Sequence, residues 1–173
     1  MRHLFRAGLA AAGLMAMAAP ASAQSMNVPA IVEDVLGQIC VPYARTGDVE
    51  AAIRAAEALR YEIVKGESGM DLESDHPWAD VTLTRRHHGT VTLESDDGRG
   101  LCSVGIYEGG ASNMAPAAEP YMQALGLEPV VQSIEGQSTT DMAVWRRGTT
   151  QMVISRSPQF SPGSEMVLSF ELP

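Results

Sequence analysis

The sequence predicts an α+β protein: helices packed on one face of an antiparallel sheet, with two tandem αβ4 units as the candidate plan. Three observations predict it. Apolar residues recur at helical spacing between residues 29 and 59. From residue 81 the apolar period changes to two, with Gly-containing turn signals between the runs. A helical stretch followed by alternating stretches then returns over residues 112–172.

Residues 1–23 stand apart from this plan and read as a secretory signal peptide. Arg2 and Arg6 give a positive start, residues 7–19 are mostly apolar and uncharged, and Pro20 breaks the run. Ala21-Ser22-Ala23 supplies the small-x-small pattern of a cleavage site, so the mature chain is expected to begin at Gln24. The apolar run is too short to span a bilayer as a helix, and no cysteine at the cleavage point offers a lipid anchor. The expectation is a periplasmic or secreted protein, not membrane-embedded, with residues 24–173 as a single α+β domain.

In the mature chain, Pro29 suits the first turn of a helix. Ile31, Val35 and Ile39 recur along one face with Val32 and Leu36 beside them, and Pro42 is expected to end or kink this helix just after Cys40. Asp48 is a candidate N-cap for a second helix with Val49, Ile53, Ala56 and Leu59 as its stripe. Glu50 and Arg54 form an i, i+4 pair on its exposed side. Strands follow. Val81 and Leu83 alternate with Thr82 and Thr84, Val91 and Leu93 with Thr90 and Thr92, and Cys102, Val104 and Ile106 share one face. His88-Gly89 and Asp97-Gly98 are the turns of this meander. A third helix is expected near Ser112-Asn113, kinked at Pro120 and stopped at Gly126. Four more strands are expected at 127–133, 142–147, 151–155 and 165–172. The predicted inward set of the second half is Val144, Met152, Ile154, Leu168 and Phe170.

The halves align weakly, as candidate pseudo-repeats 48–107 and 112–172. Ala58-Leu59-Arg60-Tyr61-Glu62 lies against Ala124-Leu125-Gly126-Leu127-Glu128, and Arg85-Arg86 before Gly89-Thr90 lies against Arg146-Arg147 before Gly148-Thr149. Neither half buries its sheet alone under this reading, so a continuous sheet with one open face is expected. The tandem αβ4 order resembles that of the bacterial exported β-lactamase inhibitor proteins. The resemblance is in the order of elements over the mature chain, with no shared motif, and no residue role is carried over.

Charge and cysteine usage bound the function. The signal holds two of 12 basic residues and none of 21 acidic ones, which leaves the mature chain at a net charge of −11. Such a chain repels phosphate backbones and anionic headgroups, so nucleic acid is excluded as an expected partner and a basic envelope protein is favoured. Cys40 and Cys102 are the only cysteines, an even count that predicts a disulfide in an oxidising compartment.

No catalytic set is identified, and no cofactor or metal is expected. His76, His87 and His88 lack the Cys or carboxylate spacing of a metal site. Asp71, Glu73 and Asp75 open like a calcium loop, but His76 and Thr82 stand where Gly and Glu are needed. Gly66-Glu67-Ser68-Gly69-Met70 approaches a nucleophile elbow, yet Met70 replaces the last glycine and the stretch reads as a polar loop. Arg85, Arg86, Arg146 and Arg147 are candidate contacts for a carboxylate-bearing ligand or partner, against the alternative of surface charge balance. Trp78 and Trp145 are each ambiguous between core packing and an anchor on a binding face, with Trp145 kept among the candidate contacts. The function expected is a non-catalytic binding or inhibitory protein of the cell envelope that acts on a protein partner. A periplasmic hydrolase or a structural envelope component is the alternative.

Overall fold

The computed structural model describes residues 26–70, 77–107, 111–130, 142–156 and 163–173. The signal segment, its cleavage point before Gln24, and Asp71, Glu73, Asp75 and His76 lie outside the described residues.

The chain enters as a helical rod. Helix α1 (Val28–Val35) leads into a π turn (Leu36–Cys40) and then helix α2 (Val41–Thr46). Asn27 caps α1, its Oδ1 accepting from the Ala30 amide at 3.4 Å. The buried stripe is the predicted one: Ile31, Val32, Val35, Leu36 and Ile39 are all inside. Pro42 does not end the rod. A proline ring crowds the carbonyl four residues back and brings no N–H, and the wide turn just before it accommodates both faults. The Val41 amide reaches the Leu36 carbonyl, a five-residue step. The rod stops at Gly47, which turns left-handed at φ 68°.

Helix α3 (Val49–Ala58) is capped as predicted, the Asp48 carboxylate accepting from the Ala51 amide at 2.8 Å. Glu50, expected to pair with Arg54 along the helix, instead accepts from the Ser68 hydroxyl at 3.2 Å. Four strands follow: β1 (Glu62–Met70), β2 (Pro77–Arg85), β3 (Gly89–Asp96) and β4 (Arg99–Ile106). Helix α4 (Ala111–Ala124) then leads to β5 (Glu128–Pro129), β6 (Met142–Arg147), β7 (Thr150–Arg156) and β8 (Ser164–Glu171). The order helix, four strands thus occurs twice. All eight strands form one antiparallel sheet in the order β1-β2-β3-β4-β8-β7-β6-β5.

Helix α4 runs through both of its prolines and stops before Gly126, as the sequence predicts. Pro116 and Pro120 lie four residues apart on the exposed side, while Met114, Ala118 and Met122 are buried. The carbonyls that lose their donors therefore lie on the watery side of the helix, where solvent replaces the lost bonds.

The two helices preceding the sheet halves stop in the same way. Arg60 adopts φ 67° and Gly126 φ 70°. The next amides close the same reverse bond, Tyr61 to the Ala56 carbonyl at 3.0 Å and Leu127 to the Met122 carbonyl at 2.9 Å. Both following side chains are then buried, Tyr61 and Leu127 alike. This is the left-handed helix stop, built on glycine in one half and on arginine in the other.

The core lies between the helices and one sheet face. Val81, Leu83, Val91, Leu93, Val104, Ile106, Met152, Ile154, Met166, Leu168 and Phe170 fill it, while Thr82, Thr84, Thr90 and Thr92 lie on the other face, half-buried. Val144 departs from expectation. It lies opposite Val153, on the face away from the helices, and its neighbour Trp145 lies opposite Met152 in the core. The disulfide Cys40–Cys102, with Cα atoms 5.5 Å apart, ties the π turn to the central strand β4. Tyr43 packs edge-on against Phe170, ring centroids 5.0 Å apart, and its hydroxyl donates to the Glu94 carbonyl at 3.1 Å.

Candidate functional site

The sheet face turned away from the helices is the surface on which the chain leaves its chemistry exposed. Its first half is read from the register. Glu67 pairs with Asp80, and Asp80 with Glu94, so three carboxylates stand side by side on β1, β2 and β3. Side chains directly opposite one another across antiparallel strands are about 5 Å apart, and like charges there destabilise the sheet. Asp96 lies two residues further along β3 on the same face. Lys65, the chain's only lysine, forms an ion pair with Asp80. The Asp80 carboxylate, first through that hydrogen bond and then through its charge, holds the ammonium above its ordinary pKa, and Glu67 and Glu94 act in the same direction.

Trp78 lies beside this row, with 36% of its surface exposed. Its register partner is Gly69. A Cβ at Gly69 would stand 2.9 Å from the Trp78 Nε1, so the missing side chain leaves room for the indole to lean over β1. Trp78, Ala79, Asp80, Glu94, Ser95 and Asp96 line an open depression of about 410 Å³.

The predicted site residues do not converge. Arg85 and Arg86 sit at the β2–β3 turn, and Arg146 and Arg147 at the β6–β7 turn. Arg85 is half-buried, and its charge acts on Tyr61. The ladders place the turns at opposite ends of the sheet: Thr90 pairs with Gly105 at one end, and Gln151 with Ser169 toward the other. About six strand residues, roughly 20 Å, separate those ends. One ligand cannot bridge both pairs through short contacts.

Each arginine of the second pair has local work. Arg146 donates through Nε at 3.0 Å and Nη2 at 2.6 Å to the Gln151 side-chain oxygen. Arg147 lies against Gly126 at the stop of α4, and Arg45 donates to the Ala124 carbonyl at 2.9 Å. Cations at a helix C-terminus meet its exposed carbonyls favourably. Arg146 and Arg147 also flank an open groove of about 810 Å³ beside β5. Of the two tryptophans that the sequence leaves between core and anchor, Trp145 is buried in the core and Trp78 holds the exposed position.

Histidine and carboxylate, the pair a hydrolytic site needs, come near one another between α1 and the β2–β3 turn. Asp34, His87 and His88 line a pocket of about 270 Å³ between α1 and the β2–β3 turn. Asp34 accepts there from the Gln38 side chain at 3.0 Å, and the His88 Nδ1 faces the Arg86 carbonyl at 3.2 Å. No ion pair joins Asp34 to either imidazole among the described residues. Gly66-Glu67-Ser68-Gly69, read as a polar loop, belongs to edge strand β1, and the Ser68 hydroxyl donates to Glu50. Among the described residues no group of three or more His, Cys, Asp or Glu is placed to hold a metal ion, and no helix is long and apolar enough to cross a membrane.

No family model, no curated protein and no solved structure matches the chain.

Proposed function

We propose that the chain is an exported, non-catalytic binding or inhibitory protein of the bacterial cell envelope, and that it presents the open face of its sheet to a basic protein partner. One observation carries the reading. The row Glu67–Asp80–Glu94, with Asp96 and the exposed Trp78 beside it, leaves an excess of negative charge on adjacent strands that Lys65, ion-paired with Asp80, only partly balances. A cationic partner completes that balance, and the indole adds a flat apolar or cation–π contact. Export is supported by the sequence of residues 1–23, and the disulfide suits an oxidising compartment.

The test is capture from envelope extract on the immobilised protein, run beside the triple variant E67Q/D80N/E94Q. The expected result is one or more basic envelope proteins held by the parent and lost from the variant, with retention falling steeply as salt rises. Equal capture by both proteins, or capture of acidic proteins only, would sink the proposal. Circular dichroism of the variant checks that its fold is kept.

A further inference from the structure

The sheet has two outer edges, and they are unlike. β5 is a two-residue strand ending in Pro129. β1 is nine residues long, and each residue from 62 to 69 is exposed. An edge strand carries a row of backbone N–H and C=O groups with no partner on its outer side, which another extended chain can pair with. Ile63 is 47% and Val64 61% exposed on this edge, an apolar surface that a purely solvent-facing strand does not need.

The side chains along β1 say what such a chain would carry. On the open face, Glu67 stands at the outer end of the carboxylate row, backed by Asp80 and Glu94. The neighbouring cation, Lys65, is engaged by Asp80. Two residues beyond Glu67 comes Gly69, over which the Trp78 indole reaches toward the edge. An added strand alternates its side chains between the faces. Two residues spaced i, i+2 on it therefore meet Glu67 and the Trp78 ring in turn, and a Lys or Arg satisfies both positions. The other face of β1 is low there, with Gly66 and Ser68, so ordinary side chains fit.

We infer that the β1 edge takes up an extended segment of the basic partner as a ninth strand, one that carries Lys or Arg at alternate positions facing Glu67 and Trp78. This rests on the proposed function and names its mode of recognition.

The probe is a synthetic peptide of about ten residues, the length of a long strand, with two lysines separated by one residue in a Thr-rich background. A composition isomer carries the lysines adjacent. Two further copies of the probe are N-methylated, one at odd and one at even positions, because only one alternate set of amides faces β1 in a strand pair. The expected result is that the isomer binds about tenfold more weakly, since one lysine then points to the wrong face. One N-methylated copy should lose binding while the other keeps it, and amides of residues 62–70 should exchange more slowly with the bound peptide. If both N-methylated copies bind like the parent probe, the contact is through side chains only, and the strand inference falls while the open-face reading survives. If a basic protein is captured through the carboxylate row but no probe binds, the inference falls in the same way. Failure of both probe binding and carboxylate-dependent capture overturns both. Concentration-dependent dimers that protect β1 without peptide would assign the edge to a second copy and overturn the inference.

Discussion

The two halves of the sheet are the same object built twice with different support. Each is a helix followed by four antiparallel strands, and each helix ends in a left-handed residue with the next side chain buried. The helices are seated differently. α4 packs on β6, β7 and β8 and against α1. α3 packs chiefly on the π turn and α2, shares the core through Ala52, Ile53 and Ala56, and reaches β1 through the Ser68–Glu50 hydrogen bond. The first half therefore takes most of its helix support through the rod, and the second takes it from strands and rod together. The disulfide fixes the π turn of that rod to β4.

Removing the bond is the strongest way to break the comparison. The pair C40S/C102S opens a loop with a sequence separation of 62 residues, and a loop of that size contributes up to about 4 kcal/mol. Urea unfolding should show a loss approaching that figure. Hydrogen exchange should show α3 and the rod loosening before α4 and β6–β8. Uniform loosening across both halves would contradict the division of support. The tryptophans come next. Trp145→Ala, in the core of the second half, should cost about 3–4 kcal/mol, whereas Trp78→Ala, on the open face of the first, should cost under about 1 kcal/mol. Comparable losses for the two would mean that the register of β6 is wrong.

Tyr61 gives a pH-dependent difference. Its burial pushes the phenol up from 10.0 to about 12, with the charge of Arg85 opposing and that of Asp34 adding to the rise. The protonated form is thus favoured by folding. The contribution is whole below pH 10 and is lost as pH climbs toward 12, where the unfolded chain ionises first. Tyr61→Phe should flatten the fall in stability over that window by on the order of 2 kcal/mol. Some slope should remain, because burial also raises Tyr43. The smallest effect belongs to the helix stops. Arg60→Gly should stabilise by about 0.5–1 kcal/mol, since glycine adopts φ 67° without strain. Gly126→Ala should destabilise by about 1 kcal/mol or more, and opposite signs in thermal denaturation would confirm that the stops are equivalent.

The sequence carried the fold where burial is one-sided. Val81, Leu83, Val91 and Leu93 alternate with threonines because one face of a central strand is dry and the other is not. It failed where that asymmetry is missing. β1 is exposed on both faces and holds two glycines, so it has no alternation and reads as a loop. In β6, Val144 and Trp145 are both apolar, and only pairing with β7 decides which of them turns inward. The sequence around Pro42 predicts an end or a kink, and the helix does not end there because the π turn just before it opens the hydrogen-bond ladder where the proline stands. The candidate binding face was hidden for another reason. Glu67, Asp80 and Glu94 are distant in sequence and become neighbours only through two strand registers. The charge excess foretold an acidic surface without saying where it would gather.

The sheet order has a consequence for the sequence of events in synthesis. β8 is made after every other strand, yet it lies in the middle, between β4 and β7. Until Ser164–Glu171 has emerged, β4 and β7 are both open edges and the two meanders have no ladder joining them. A chain stopped just short of Ser164 would be two sheets rather than one sheet with a frayed end. The last strand acts as a keystone, and its late arrival postpones closure of the whole fold.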